Sequence, residues 1–376
     1  MKVFATLLLV IVLAAGGAAA WLWYALTQPY QAFPSEGVFV TVPHGASSRG
    51  VAHLLERNGV VRSALAFEIY ARRHPKRHLE AGEYLFNAPA SGREVFWKIA
   101  SGQIFEQPFT VREGQTMFDI ARGLEGAHFM SADDFLKAAN DPSQVRDIAP
   151  HAETLEGFLY PATYQLPRHP IPAELTAKMV GHFKSEWARI RQSAATEGTA
   201  PAQEPRPMVS LVTLASLVER ETPKPEERPL VAGVFENRLS HHMLLQCDPT
   251  VIYGLERMGE YKGLLTGGDL HFDSPYNTYV HAGLPPGPIG NPGEASLRAA
   301  LEPAKTDYLY FVANTHGGHF FSATLAEHNK NVTKYRRLLA GLPADPPPAP
   351  PSAKKKTAKP QSPHQRHKAK AKHASR

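Results

Sequence analysis

The sequence predicts an α+β protein made of an N-terminal transmembrane helix, a small α+β domain and a larger mixed α+β domain. Three observations predict it. A long apolar run opens the chain. A strand–helix–helix–strand pattern returns after 69 residues. A short helix at residues 208–222, apolar on nearly every side, ends in two glutamates.

With 376 residues, the chain is long enough for two folded domains and a large core. Its formal charge of +6 is unevenly spread, because residues 354–376 hold nine Lys or Arg and no acid, which leaves the remainder at −3. A nucleic-acid-binding body is therefore not expected. One cysteine, Cys247, excludes an intramolecular disulfide and gives no metal-cluster spacing.

Residues 3–26 carry no charge and are apolar apart from Thr6, which is enough to span a bilayer with some tilt. Lys2 precedes the run and no Lys or Arg follows until Arg49, so the amino terminus is expected in the cytoplasm and the rest outside. Trp21, Trp23 and Tyr24 would form an interfacial aromatic belt. A signal peptide cleaved after the alanines at 18–20 is the rival. The run continues past them, which favours an uncleaved anchor over residues 1–27.

A strand is expected at 38–42, helices near 48–58, 63–73 and 91–100, and a strand at 82–86. Thr41-Val42-Pro43-His44-Gly45 is echoed by Thr110-Val111-Arg112-Glu113-Gly114, Val51-Ala52 by Ile120-Ala121, and Leu55 by Leu124. A second helix follows from Ser131 and an aromatic strand is expected over 158–166. The pattern resembles the LysM glycan-binding module, giving a LysM-like domain at 36–105 and a second such unit at 106–166. Two generic α+β units bracing the main domain account for it equally. The stretch at 154–164 packs aromatics, Glu156 and Pro161 together, which suits sugar stacking or a core strand alike.

Further on, a helix is expected over 172–190 and an Ala/Pro/Glu-rich linker over 194–207. After the organising helix, another is expected from Pro225. Asp248, before Pro249, reads as a turn or cap opening a short helix. The Gly/Pro run at 283–293 reads as a stiff turn structure of the kind that lines grooves. A helix at 294–301 and a strand at 308–312 follow. His316, His319 and His328 lack a strong third ligand at proper spacing, so no metal is expected and the histidines read as turn and groove contacts.

On the organising helix, Glu219 and Glu221 lie ~200° apart and cannot share a job. Glu219 continues the face of Val212, Ala215 and Ser216, whose small side chains leave room for a ligand. Glu221 continues the packing face of Leu214, Leu217 and Val218. A carboxylate at the negative end of a buried helix is disfavoured as an anion by desolvation and by the dipole, which suits a general acid. Both read equally as solvated residues where the helix surfaces.

The motifs LASLVERET, VFENRL, LQCDPTVIYG, SPYNTY, GLPPGPIGNPG and YLYFVA, closed by GHFFSATLAEH, resemble the endolytic murein transglycosylase (YceG-like) family over residues 38–339. The resemblance implies a catalytic region at 106–340, with its core at 206–340. It implies a cofactor-free lyase that cleaves the MurNAc–GlcNAc β-1,4 bond inside peptidoglycan strands, leaves 1,6-anhydro-MurNAc ends and so terminates glycan elongation. Glu219 stands at the family's catalytic position. Gln246, Asp248, Tyr253, Asn277, Thr278 and Tyr279 match its groove motifs and are expected to position substrate, with Glu156 holding its loop or lining the groove. The resemblance further implies a single-pass protein of the bacterial inner membrane with a periplasmic catalytic domain, and partners among penicillin-binding proteins or other cell-wall synthases. Ala162 replaces the acid usual after the proline of the family's aromatic stretch. Residues 341–376, rich in Pro and Ala and then in Lys and His, are extra and expected to be disordered. Two other readings stay open. One is a lysozyme-like hydrolase, with Glu221, Asp248 or Asp273 as its second carboxylate. The other is a non-catalytic peptidoglycan-binding scaffold.

Overall fold

In the computed structural model, residues 2–198 and 206–344 are described. Residues 199–205 of the expected linker and most of the expected tail lie outside them.

Helix α1 (Lys2–Thr27) contains one stretch, Val3–Thr27, long and apolar enough to cross a membrane. Its last turn is not free. Ala25 is buried, Leu26 lies against Gly92, and the Arg62 guanidinium sits over the rings of Tyr24 (5.0 Å) and Tyr30 (4.6 Å).

The first unit runs β1 (Val38–Val42), α2 (Ser48–Arg57), α3 (Ala64–Arg72) and β2 (Gly82–Phe86), followed by α4 (Gly92–Ala100). β1 and β2 pair antiparallel, from Val38 opposite Phe86 to Val42 opposite Gly82. Val40 and Val42 alternate into the core, as period two requires. The second unit repeats the order with β3 (Gln107–Thr110), α5 (Met117–Gly126), α6 (Ala132–Ala139) and β4 (Thr163–Leu166), again antiparallel. The helix starts repeat as well. Ser47 and Thr116 accept from the N–H groups of Gly50 and Asp119, and Ser63 and Ser131 from those of Ala66 and Asp134, each satisfying a free helix-end donor.

β4 is shorter than the strand expected from Phe158. Phe158, Leu159 and Tyr160 are buried at consecutive positions, which a pleated strand with alternating faces would not do. Gly157 holds φ +85°, and the Leu159 N–H is taken by the Asn291 side chain at 2.9 Å.

The C-terminal half comprises α7 (Pro172–Glu197), α8 (Met208–Glu221), α9 (Arg228–Ser240), α10 (Asp248–Met258), α11 (Glu294–Leu301), the β5 (Tyr310–Ala313)–β6 (His319–Ser322) hairpin and α12 (Leu325–Leu339). α7 runs seven residues beyond the expected end, to a left-handed Gly198 cap. Ala194 is buried there, and Arg298 holds Ser193 and Glu197, so the expected linker starts later. α8 is the central helix, its residues 211–218 buried on every side by α9, α10 and α11. Burial of each of its large apolar side chains contributes roughly 1.5–3 kcal/mol.

The described residues form two separate hydrophobic cores. One fills the first unit, from Phe33 to Ile99. The other joins the second unit to the C-terminal half, from Val111 to Leu301.

Candidate active site

The last turn of α8 brings Glu219 to the wall of an open cleft of about 670 Å³. Val111, Arg112, Glu113 and Pro161 of the second unit form one side, and Thr222, Pro223 and Arg228 the other. The Glu219 side chain is only 4% exposed. One carboxyl oxygen accepts from the Arg228 guanidinium at 2.7 Å, the other from the Gly293 N–H at 3.0 Å. Gly293 precedes α11, so Glu219 sits between the negative end of its own helix and the positive end of another. Burial raises its pKa above the ordinary carboxyl value. The Gly293 N–H, the Arg228 charge and the Ser296 hydroxyl oppose that rise, and the Glu113 charge adds to it.

The face of Val212, Ala215 and Ser216 leaves no room for a ligand. It is filled by the Gly/Pro loop, where the Ile289 N–H donates to the Ser216 hydroxyl at 3.0 Å and Gly157 packs against Val212 and Pro288. Space opens only at the helix end.

Asn291 fastens this loop to the second unit. Its backbone accepts from Gly114 N–H (2.8 Å) and donates to the Gln115 carbonyl (2.9 Å). Its side chain donates to Glu156 and accepts from Leu159 N–H. Glu156 is 1% exposed and also accepts from Met117 N–H, at the start of α5. Burial lifts its pKa to about 8. It therefore has the loop-holding place among the two expected for it.

The other expected groove residues do not line the Glu219 cleft. Tyr253 is buried, with its phenol facing Glu156. Asn277 donates to the carbonyls of Leu270 and Phe272, and Thr278 accepts from Cys247 N–H, so both are spent fastening the 274–279 loop. Gln246 is exposed at φ +52°. Asp248 occupies the first turn of α10, not a cap, and accepts from the Tyr279 phenol at 2.5 Å. Gln246, Asp248 and Tyr279 thus form a second, solvent-reaching group.

Among the proposed second carboxylates, Glu221 is packed against Cys247, its pKa raised by burial. Asp248 is engaged by Tyr279, and the Asp273 side chain is 98% exposed. None borders the cleft. Glu113 does, half-exposed and 3.4 Å from Arg228. Sequence reasoning passed over both Glu113 and Arg228. Glu113 had one signal, its place in the repeated turn where the first copy carries His44. His319 pairs with Glu227 (2.7 Å) and His328 stacks on Tyr310; no cluster of three metal-ligating side chains occurs among the described residues.

A carboxyl whose pKa is raised by burial, held by two donors at the wall of an open polar cleft, has the parts of an acid–base site. The YceG-like family model matches residues 40–334, and the chain belongs to that family. The endolytic murein transglycosylase of Bacillus subtilis is 34% identical over 328 residues, covering 82% of this chain and 88% of that protein. The protein of the same name from Streptococcus pneumoniae is 29% identical over 340 residues, 82% of this chain and 60% of that one. A crystal structure of a YceG-like protein from Listeria monocytogenes shares the fold with a TM-score of 0.52 and 33% identity, covering 79% of this chain and 99% of that chain.

Proposed function

We propose that the chain is a membrane-anchored endolytic murein transglycosylase whose catalytic residue is Glu219. The observation that carries this is the burial and double anchoring of Glu219 at the cleft wall, in a chain whose relatives bear that name. Protonated Glu219 gives its proton to the glycosidic oxygen as the MurNAc C1–O bond breaks. The C6 hydroxyl of the same MurNAc then closes on C1, and its proton returns to Glu219. The products are a 1,6-anhydro-MurNAc end and a free GlcNAc 4-hydroxyl, with no water consumed. One carboxyl serves both steps, whereas an ordinary glycosidase needs two. Gln246, Asp248 and Tyr279 are assigned to holding the glycan away from the bond being cut. Glu156, Tyr253, Asn277 and Thr278 hold the loops that shape the site. The charge asymmetry around α1 supports a cytoplasmic amino terminus and a site outside the membrane. There, cleavage of nascent strands beside penicillin-binding proteins would end their elongation. The βααβ units support a LysM-like role in holding glycan.

Mass spectrometry of products from intact peptidoglycan, with the full-length protein in detergent, tests the reading. Internal fragments with anhydro ends are expected from wild type, and a rate lower by about 10³-fold or more from Glu219→Gln. Normal cleavage by that variant would sink the assignment. A second reading is a lysozyme-like hydrolase, favoured by Glu113 as a second carboxylate in the cleft. Reducing MurNAc ends would establish it.

A further inference from the structure

The Arg228 guanidinium lies between two carboxyls, Glu219 at 2.7 Å and Glu113 at 3.4 Å. Its side chain is 6% exposed, so water screens its charge little on the side of the buried Glu219. Arginine stays charged, and one carboxylate suffices to neutralise it. Glu113 is the better solvated of the two, half-exposed where Glu219 is buried, and it faces the same guanidinium. Glu113 is also fixed in place. The next residue, Gly114, is clamped by Asn291 on its N–H and by the Arg220 guanidinium on its carbonyl (3.1 Å). Its carboxyl rests on the Cα of Gly293, where an added Cβ would fall 1.9 Å from Oε1.

We propose that Glu113 is a positioning residue of the catalytic site, supplying Arg228 with its counter-charge so that Glu219 holds the proton it delivers. The inference rests on the reading of Glu219 as the acid. Its surroundings are consistent with it. From α9 comes Arg228, from α11 the Gly293 N–H and Ser296, from the second unit Glu113. Arg220, next on α8, is turned to the Gly114 carbonyl. Glu113 is thus the negative group that offsets the donors around Glu219. The first unit has the exposed His44 at the matching turn position, so the device belongs to the second copy alone.

The test uses full-length protein in detergent, labelled with ¹³C at the glutamate side-chain carboxyls, with the Glu219 signal identified by its loss in Glu219→Gln. Its titration is followed beside the pH profile of glycan cleavage in wild type, Glu113→Gln, Glu113→Asp and Gly293→Ala. Gly293 has φ −82°, which alanine adopts freely, and its added Cβ would meet the Glu113 carboxyl; the Glu113 variants leave the Gly293 N–H on Glu219 untouched and carry the comparison. In Glu113→Gln and Gly293→Ala the Glu219 titration and the alkaline limb of kcat should move down by about one pH unit, an about tenfold loss on that limb with KM little changed. Glu113→Asp keeps the charge and should stay near wild type. An unmoved titration overturns the proposal, as does an equal loss at every pH, which would make Glu113 a substrate-touching group. The titration reads Glu113 even without turnover. Normal cleavage by Glu219→Gln would instead remove the reading beneath it.

Discussion

Glu156 is enclosed by Met117, Asn291 and Tyr253, and burial raises its pKa from 4.5 to about 8. The folded protein therefore holds a proton that the unfolded chain has lost between those values. Stability from this group is fully present below about pH 4.5 and is lost as pH rises through 8. With ~1.4 kcal/mol for each pH unit that separates the two states, the loss is on the order of a few kcal/mol. Glu156→Gln keeps an acceptor for the Met117 N–H and removes the titration. Urea unfolding between pH 5 and 9 should give a flatter stability profile for the variant, and parallel profiles would contradict the buried-carboxyl account. Glu219 stood out in the sequence because it ends an apolar helix, and Glu156 because it lies in an aromatic stretch that matches the family, whereas the residues that enclose Glu156 come from distant sequence. The Glu113–Arg228 pair did not stand out, since its members are 115 residues apart and meet only through packing of the second unit on α9.

At the scale of elements, the 283–293 loop is the part on which the site depends most. Beside the Asn291 contacts, Gly157 is a point where the second unit meets it. A Cβ there would lie 2.5 Å from Pro288 Cγ and 2.7 Å from Val212 Cγ1, on a backbone with φ +85°. Gly157→Ala should cost ~2–3 kcal/mol in denaturant unfolding from overpacking and backbone strain. It should also lower turnover beyond that of a surface glycine variant such as Gly317→Ala, because a shifted loop carries the Gly293 N–H off Glu219. Equal turnover in the two would show that the loop is not coupled to the carboxyl. The repeat was readable because its signals are local, with serine or threonine caps and periods of 3.6 and 2. The strand expected from Phe158 was misread for the opposite reason. Phe158 and Tyr160, which look like strand, are covered by Phe183 and His182 of α7, and the Leu159 N–H between them is taken by Asn291, all from distant sequence. β6 and α12 were anticipated only as a motif, since the mostly polar sequence of α12 gives little apolar period and none of its residues is buried.

Across the whole molecule, the two cores share no buried residue. They are linked by the Arg168–Glu83 ion pair at 3.2 Å, with Arg168 also 4.1 Å over the Phe39 ring. Calorimetry should resolve two transitions, the first unit's smaller core melting at the lower temperature. Arg168→Ala should move that transition down by a few degrees and leave the upper one in place. A single cooperative transition would mean the interface couples them more tightly than these contacts imply.

The last turn of α1 packs on the first unit through the buried Ala25, the half-buried Leu26 and the Tyr24–Arg62–Tyr30 column. With α1 in a membrane, as proposed, the protein stands on a post and not on a leash. The first unit would then ride at one height above the lipid, and the cleft, joined to it through Arg168 and Glu83, would reach only glycan passing above that height. The stub left on the membrane side would be measured by the protein's own height.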